Sequence, residues 1–189
     1  MWRQMNDLKN YIVDLKSMEE NLYETDFSIE DDFFQSLEQE EIEGGRLDVH
    51  LRVKKLAEAF DLFFDIDGEV VIVCDRCLDD MVQPISTEAK VRVKFGSEYK
   101  DDGSDLIVVP ETEGVINVAW LIYEFAALAI PIQHVHPDGE CNPEMMNILK
   151  QHEGRIPEDI EAENAGETDT DGTVTDPRWN GLKNLLNNN

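Results

Sequence analysis

Cysteine thiolates and neutral imidazoles are the side chains of choice for a soft or borderline metal ion, and this chain concentrates them in two places. One is Cys74-Asp75-Arg76-Cys77; the other is His134-Val135-His136-Pro137-Asp138-Gly139-Glu140-Cys141. Two thiolates separated by two residues fall on the inside of a tight turn and can occupy two corners of a tetrahedral zinc site. Cys141 with His136, or in second place His134, would complete a Cys3His set. The expected ligands are therefore Cys74, Cys77, His136 and Cys141, holding Zn2+ and closing a loop of about sixty residues. Plain buried thiols are a second reading of the same residues. Redox chemistry of the thioredoxin type ranks third. It needs the first cysteine at a helix N-terminus, whereas Leu78-Asp79-Asp80 reads as a turn whose negative charge would raise the thiol pKa.

Other chemistry has no carrier. There is no GxxxxGK[ST], GxGxxG or GxSxG run, and His50, His134, His136 and His152 pair with no obvious nucleophile. The many carboxylates give no sign of acid/base catalysis, because an acidic surface brings such pairs together by chance. The expectation is a protein that is not an enzyme.

Acids outnumber bases 42 to 16 among 189 residues, a formal charge of −26. Such a field repels polyanions, which argues against DNA and broad RNA binding and favours a basic partner. Three cysteines are too few for a secreted disulfide scaffold. Met1 to Lys16 lacks the apolar core and cleavage site of a signal peptide. The longest apolar stretch, Val118 to Ile130, is interrupted by Glu124 and falls short of the roughly 20 residues that span a membrane. A cytoplasmic protein with no membrane partner is expected.

The elements that must position the cysteines follow from periodicity. Leu47, Val49, Leu51 and Val53 alternate with polar residues, as do Phe60, Leu62, Phe64 and Ile66, and Ala89, Val91, Val93 and Phe95, so each run predicts a half-buried strand. Asp67-Gly68 predicts a hairpin turn leading into a strand over Glu69 to Cys74. Asn10 to Leu15 and Leu106 to Val109 supply two more strands. From Ser17 to Gly45 there is no Lys or Arg but a run of acids from Glu19 to Glu43; Ser28 and Asp31 resemble a capping box, predicting an acidic helix over 28–40. Asn117 is the predicted N-cap of a buried helix, Val118 to Ile130, bearing Trp120, Leu121, Phe125 and Leu128, with Glu124 as a rim carboxylate.

The fold class predicted is α+β: a largely antiparallel sheet or partly open barrel packed on one buried helix, with an acidic flexible C-terminal segment. Its organisation is a domain over 1–150, a disordered acidic linker over 151–175 and a short amphipathic helix over 176–187 that either folds back on the domain or acts as a docking peptide. The basic residues gather in the sheet. Arg52, Lys54 and Lys55 on one strand and Lys90, Arg92 and Lys94 on another alternate outward, which is either a solvated face or a local site for RNA.

The run Val70-Val71-Ile72-Val73-Cys74-Asp75-Arg76-Cys77-Leu78, with Pro84-Ile85 after it, resembles the signature of the YceD-like family of large ribosomal RNA subunit accumulation proteins. The resemblance extends through Val115-Ile116-Asn117-Val118, Tyr123-Glu124 and Ile130-Pro131 to the closing Asp176-Pro177-Arg178-Trp179 with Leu182 and Leu185, covering most of residues 8 to 186. Many members carry further cysteines ending in C-x-x-C-G after the buried helix, where this chain has His134, His136 and Cys141. The resemblance implies a non-enzymatic role in the accumulation or processing of 23S ribosomal RNA. The family's gene often lies beside that of a small, basic ribosomal protein of the large subunit, which implies a large-subunit precursor, ribosomal protein or rRNA, as partner. Candidate contact residues are Arg52, Lys54, Arg92 and Lys94 on the sheet and Arg178, Trp179 and Leu182 at the end of the chain.

Overall fold

A computed structural model of the chain describes residues 8–37, 39–101, 103 and 105–152. It is an α+β structure. Three long strands, β3 (Gly44–Lys55), β4 (Phe60–Val73) and β5 (Asp80–Gly96), form an antiparallel meander. With β2 (Leu22–Ile29) and β6 (Leu106–Pro110) they make an open five-stranded sheet of order β2-β3-β4-β5-β6. The sheet is mixed, because β6 runs parallel to the end of β5. Strands β1 (Ile12–Asp14) and β7 (Val115–Asn117) pair separately, antiparallel.

The inner face is built by strict alternation. Val53, Leu62 and Val91 lie side by side across the meander, then Leu51, Phe64 and Ala89, and all but Ala89 are buried. The turn expected at Asp67-Gly68 is absent: β4 continues straight through it. A two-residue turn there would have set Glu69 opposite Ile66 on one face, burying a carboxylate. The continuous strand instead keeps Leu62, Phe64, Ile66, Val70 and Ile72 on the core side and leaves Glu69 exposed. Gly68 falls at the inward position between Leu47 and Ile85. Its φ is +148°, and a Cβ there would stand 2.2 Å from the Arg46 carbonyl oxygen. Gly45, at φ +144°, meets the Glu69 carbonyl in the same way at 2.4 Å. The two glycines let the β3 and β4 backbones approach closely at these two positions.

The acidic block folds differently from expectation. Leu22 to Ile29 is an edge strand, and only Asp31–Leu37 is helical (α1). Ser28 donates to Asp48 across the β2–β3 pair and caps nothing. Ladder pairing has overridden local capping preference here. Phe33 and Phe34 turn inward from α1, and Asp31 Oδ1 accepts the Gly45 N–H at 2.8 Å, pinning the helix to β3. Helix α2 (Ala119–Leu128) buries Leu121, Ile122, Tyr123 and Ala126 and lays Phe125 against Phe64 at 5.3 Å between ring centroids. Asn117 Oδ1 accepts the Ala119 N–H at 2.9 Å, but the residue belongs to β7 and the N-cap is Val118, one place later than expected. Glu124 is exposed at the rim, and Leu128, expected inside, is 75% exposed because it lies four residues on from Glu124, on the same solvent face of the helix.

Helix α3 (Pro143–His152) was not anticipated, although Asn142-Pro143 carries the cap-then-proline signal; Asn142 Oδ1 accepts the Glu144 N–H at 2.9 Å. The helix reaches two residues into the stretch expected as linker. The rest of 151–175, the helix expected over 176–187 and, with it, Arg178, Trp179 and Leu182 lie outside the described residues. The described residues divide into two units after Met146.

The glycine pair gives a direct test. Gly68→Ala combines a disfavoured φ with a backbone clash and is expected to cost about 3 kcal/mol. Gly139→Ala, where a Cβ meets nothing within 4 Å, carries only the penalty of φ +90° and should cost about 1 kcal/mol. Urea unfolding of the two variants measures both.

Candidate metal centre and charged sheet face

The β4–β5 hairpin reverses direction over residues 74–79, and its geometry is set by backbone hydrogen bonds. Cys74 N–H donates to Asp79 O at 2.9 Å and Leu78 N–H to Cys74 O at 3.0 Å. Arg76 N–H points at Cys74 Sγ, 3.4 Å away. Leu78 takes φ +62°, the left-handed conformation that closes the turn. Both cysteines are thereby turned inward and buried.

A second segment, after α2, is held against this turn. Asp75 N–H donates to His134 O at 3.0 Å, and His134 N–H returns to Asp75 Oδ2 at 2.9 Å. The His134 ring is engaged at both nitrogens, by Asp75 Oδ1 at 3.3 Å and Pro131 O at 3.1 Å. Asn142 Nδ2 donates to Asp79 at 3.0 Å. Between these ties His136 presents Nδ1 to Cys77 Sγ at 3.3 Å and Nε2 to the Asp80 carbonyl at 3.2 Å. A carbonyl only accepts, so Nε2 carries a proton, and in the neutral ring the Nδ1 lone pair faces the thiols. Cys74, Cys77, His136 and Cys141 bring their ligand atoms within 4.8 Å of one another. A tetrahedron with metal–sulfur bonds of about 2.3 Å has edges of roughly 3.8 Å, so a small contraction would let the four hold a metal ion.

Burial alone would push the Cys74 thiol up, but backbone N–H groups of Cys77, His136 and Arg76, with the Cys77 side chain, lower it to about 6. The negative charge of Asp79 and Asp80 does not decide the matter, contrary to expectation, because amides in contact outweigh carboxylates turned to solvent. His136 is raised, chiefly by its hydrogen bond to Cys74, and Cys141 is raised by burial and then by its thiol neighbours. A lowered thiol beside a raised imidazole is also the pattern of a nucleophile. Cys74 is completely buried, however, so no substrate reaches it, and four donors around one point suit a closed structural site. Asp75, Asp79 and Asn142, which position this group, were missed from sequence, where acids in an acidic chain carry no distinguishing signal.

The outward basic residues form a different assembly. Across the sheet Arg52, Phe63 and Lys90 are in register, and in the next row Lys54, Asp61 and Arg92. Asp61, buried, accepts two bonds from Arg92 at 2.6 and 2.9 Å and pairs with Lys90 at 2.8 Å. Arg52 pairs with Asp65 at 3.0 Å, and both Arg52 and Lys90 lie over the Phe63 ring, at 5.7 and 5.0 Å. Among the described residues neither Lys54 nor Lys94 makes an ion pair; Lys94 lines a shallow cavity of about 550 Å3 with Lys90, Arg92, Asp105 and Leu106. The hydrogen bonds from Arg92 hold the Asp61 carboxyl well below the usual carboxylate range, against its burial and with help from Lys90. A depressed folded pKa stabilises the fold above the unfolded value of about 4, and that contribution is lost as pH falls through the folded one. Asp61→Asn is expected to lose about 1–2 kcal/mol at neutral pH. The gap from wild type should narrow progressively below about pH 4 in acid-unfolding curves.

Among the described residues no helix is long and apolar enough to cross a membrane. A family model, Large ribosomal RNA subunit accumulation protein YceD, matches residues 62–186, which take in the cysteine turn, Asp61's partners on β5, α2 and the second ligand segment. No curated protein and no solved structure matches the chain. The chain belongs to the YceD family, whose description points to a role in the accumulation of large-subunit ribosomal RNA.

Proposed function

We propose that this chain is a non-enzymatic, cytoplasmic ribosome-biogenesis factor that supports accumulation and processing of 23S ribosomal RNA by binding a basic ribosomal protein of the large subunit. Family membership carries the first part of this reading. The charge distribution supports the second. Asp26, Asp48, Asp65, Asp67 and Glu88 occupy adjacent rows of the outer sheet face, and Glu24 lies on the free edge strand β2. These acids offer a cationic protein what RNA phosphates would later offer it, until the RNA competes them away. A direct RNA contact through the other end of the face is the second reading, favoured by Lys54 and Lys94 but opposed by Asp61 and Asp65, which pair with Lys90, Arg92 and Arg52 and offset two of their three charges.

Zn2+ is the metal that suits three thiols and an imidazole, and its contribution here is structural. Cys74, Cys77, His136 and Cys141 would bind it, joining the hairpin tip to the segment after α2. Purified protein is expected to carry about one equivalent of zinc. Cys77→Ser should lose it, along with several kcal/mol of stability in thermal melts. Metal analysis finding none, with three freely titrating thiols, overturns this part.

Affinity purification of the full chain in low salt should recover large-subunit ribosomal proteins, and raising the salt to about 0.5 M should release them. Lys54→Glu with Lys94→Glu leaves the Asp61 cluster intact and should leave that recovery unchanged. Loss of recovery together with loss of RNA binding would favour the direct RNA reading instead.

A further inference from the structure

Leu78 sits where the fold gives it no internal reason to be. Its left-handed φ of +62° is a conformation that glycine takes freely and a branched side chain does not. It recovers nothing by burial, because the residue is 64% exposed. Two further aliphatic side chains are exposed on the segments bound to this turn: Val82, two residues past the carbonyl that holds His136, is 57% exposed, and Ile132, two residues before the His134 clamp, is fully exposed. The charge around them is one-sided. Asp75, Asp79 and Asp80 on the turn and Asp138 and Glu140 on the facing segment stand exposed against a single base, Arg76.

We propose that this tip is a docking surface for a cationic protein segment carrying aliphatic side chains, with Leu78 as its apolar anchor. The acids select the partner's charge and exclude phosphate. Leu78, 64% exposed, supplies the apolar contact that charge alone cannot, while Cys74 and Cys77 stay buried and out of a partner's reach. The proposal rests on the reading that a basic protein is the partner; it adds a contact at the hairpin tip besides the acids of the outer sheet face, and requires the partner to be amphipathic.

Fluorescence anisotropy on the full chain tests this with two short peptides of equal charge, one alternating lysine and leucine, the other lysine and serine. Wild type should bind the leucine peptide at least about tenfold more tightly than the serine one. Leu78→Gly should weaken the leucine peptide about tenfold, leave the serine peptide unchanged and leave the melting temperature unchanged or higher, since glycine suits the turn. Ile132→Ser should weaken the same peptide without altering the melt. Undiminished binding by Leu78→Gly, or a fall in its melting temperature, overturns the proposal while the basic-partner reading stands. Wild type binding neither peptide overturns that reading too. Single-stranded poly(U) binding that Leu78→Gly weakens would assign the surface to RNA and likewise overturn it.

Discussion

The unbroken parity of β4 and β5 is the constraint from which the rest of the structure follows. Over 14 and 17 residues, the buried apolar row, Phe60, Leu62, Phe64, Ile66, Val70 and Ile72 on β4 and Met81, Ile85, Val91 and Val93 on β5, keeps one parity without a slip. A one-residue slip anywhere would expose the whole inner row and bury Asp65, Asp67 and Glu69. At about 3.3 Å per residue, β4 alone carries the chain some 45 Å, so one hairpin delivers two unlike chemistries to opposite ends. The cysteine turn is at its tip; the Asp61 cluster is at its root.

That separation also explains how so acidic a chain folds. The outer face is divided along the strand axis, with cations in the rows of Arg52 and Lys54 and acids in the rows of His50 and Asp48. Among the described residues Asp61 is the one charged residue with a buried side chain, and it is matched by two cations whose heads stay near water, so the desolvation cost of the pairing falls on the carboxylate and not on its partners. Removing cations from this root would do more than change surface charge. It would leave a buried carboxylate without partners, which is why Lys54 and Lys94, and not Arg92, are the positions where charge and fold can be altered separately.

Much of this was legible from residue order. Alternation located β3, the first half of β4 and the end of β5, and the two cysteine- and histidine-bearing segments singled out the four residues that the fold gathers. What was not legible depended on neighbours far along the chain. Asp67-Gly68 has the composition of a turn, and only the backbone of β3 lying against Gly68 shows why glycine is needed within a strand; the parity of Val70 and Ile72 with Ile66 was the available clue. Ser28 and Asp31 carry a capping pattern, yet Ser28 belongs to a strand because β3 offers Leu22 to Ile29 a full ladder of partners. The choice between His134 and His136 could not be made locally either, since it depends on Asp75 and Pro131 occupying the His134 ring.

The hydrogen bonds around the tip bear on how a metal would be held. Bringing Cys77 and His136 together closes a loop of about sixty residues, and ordering such a loop opposes binding when the metal must do it alone. Here the sheet and α2 already cover most of that distance. The paired Asp75–His134 bonds and the Asn142–Asp79 bond then fix the last few residues on either side. None of these groups is among the four that face one another, so they hold the two segments in place without competing for the ion. A metal entering such a site would need to displace protons and draw the donors inward, with little backbone left to order. Its binding energy would therefore go mainly into locking the hairpin tip to the segment after α2, leaving the sheet to stand on its own alternation.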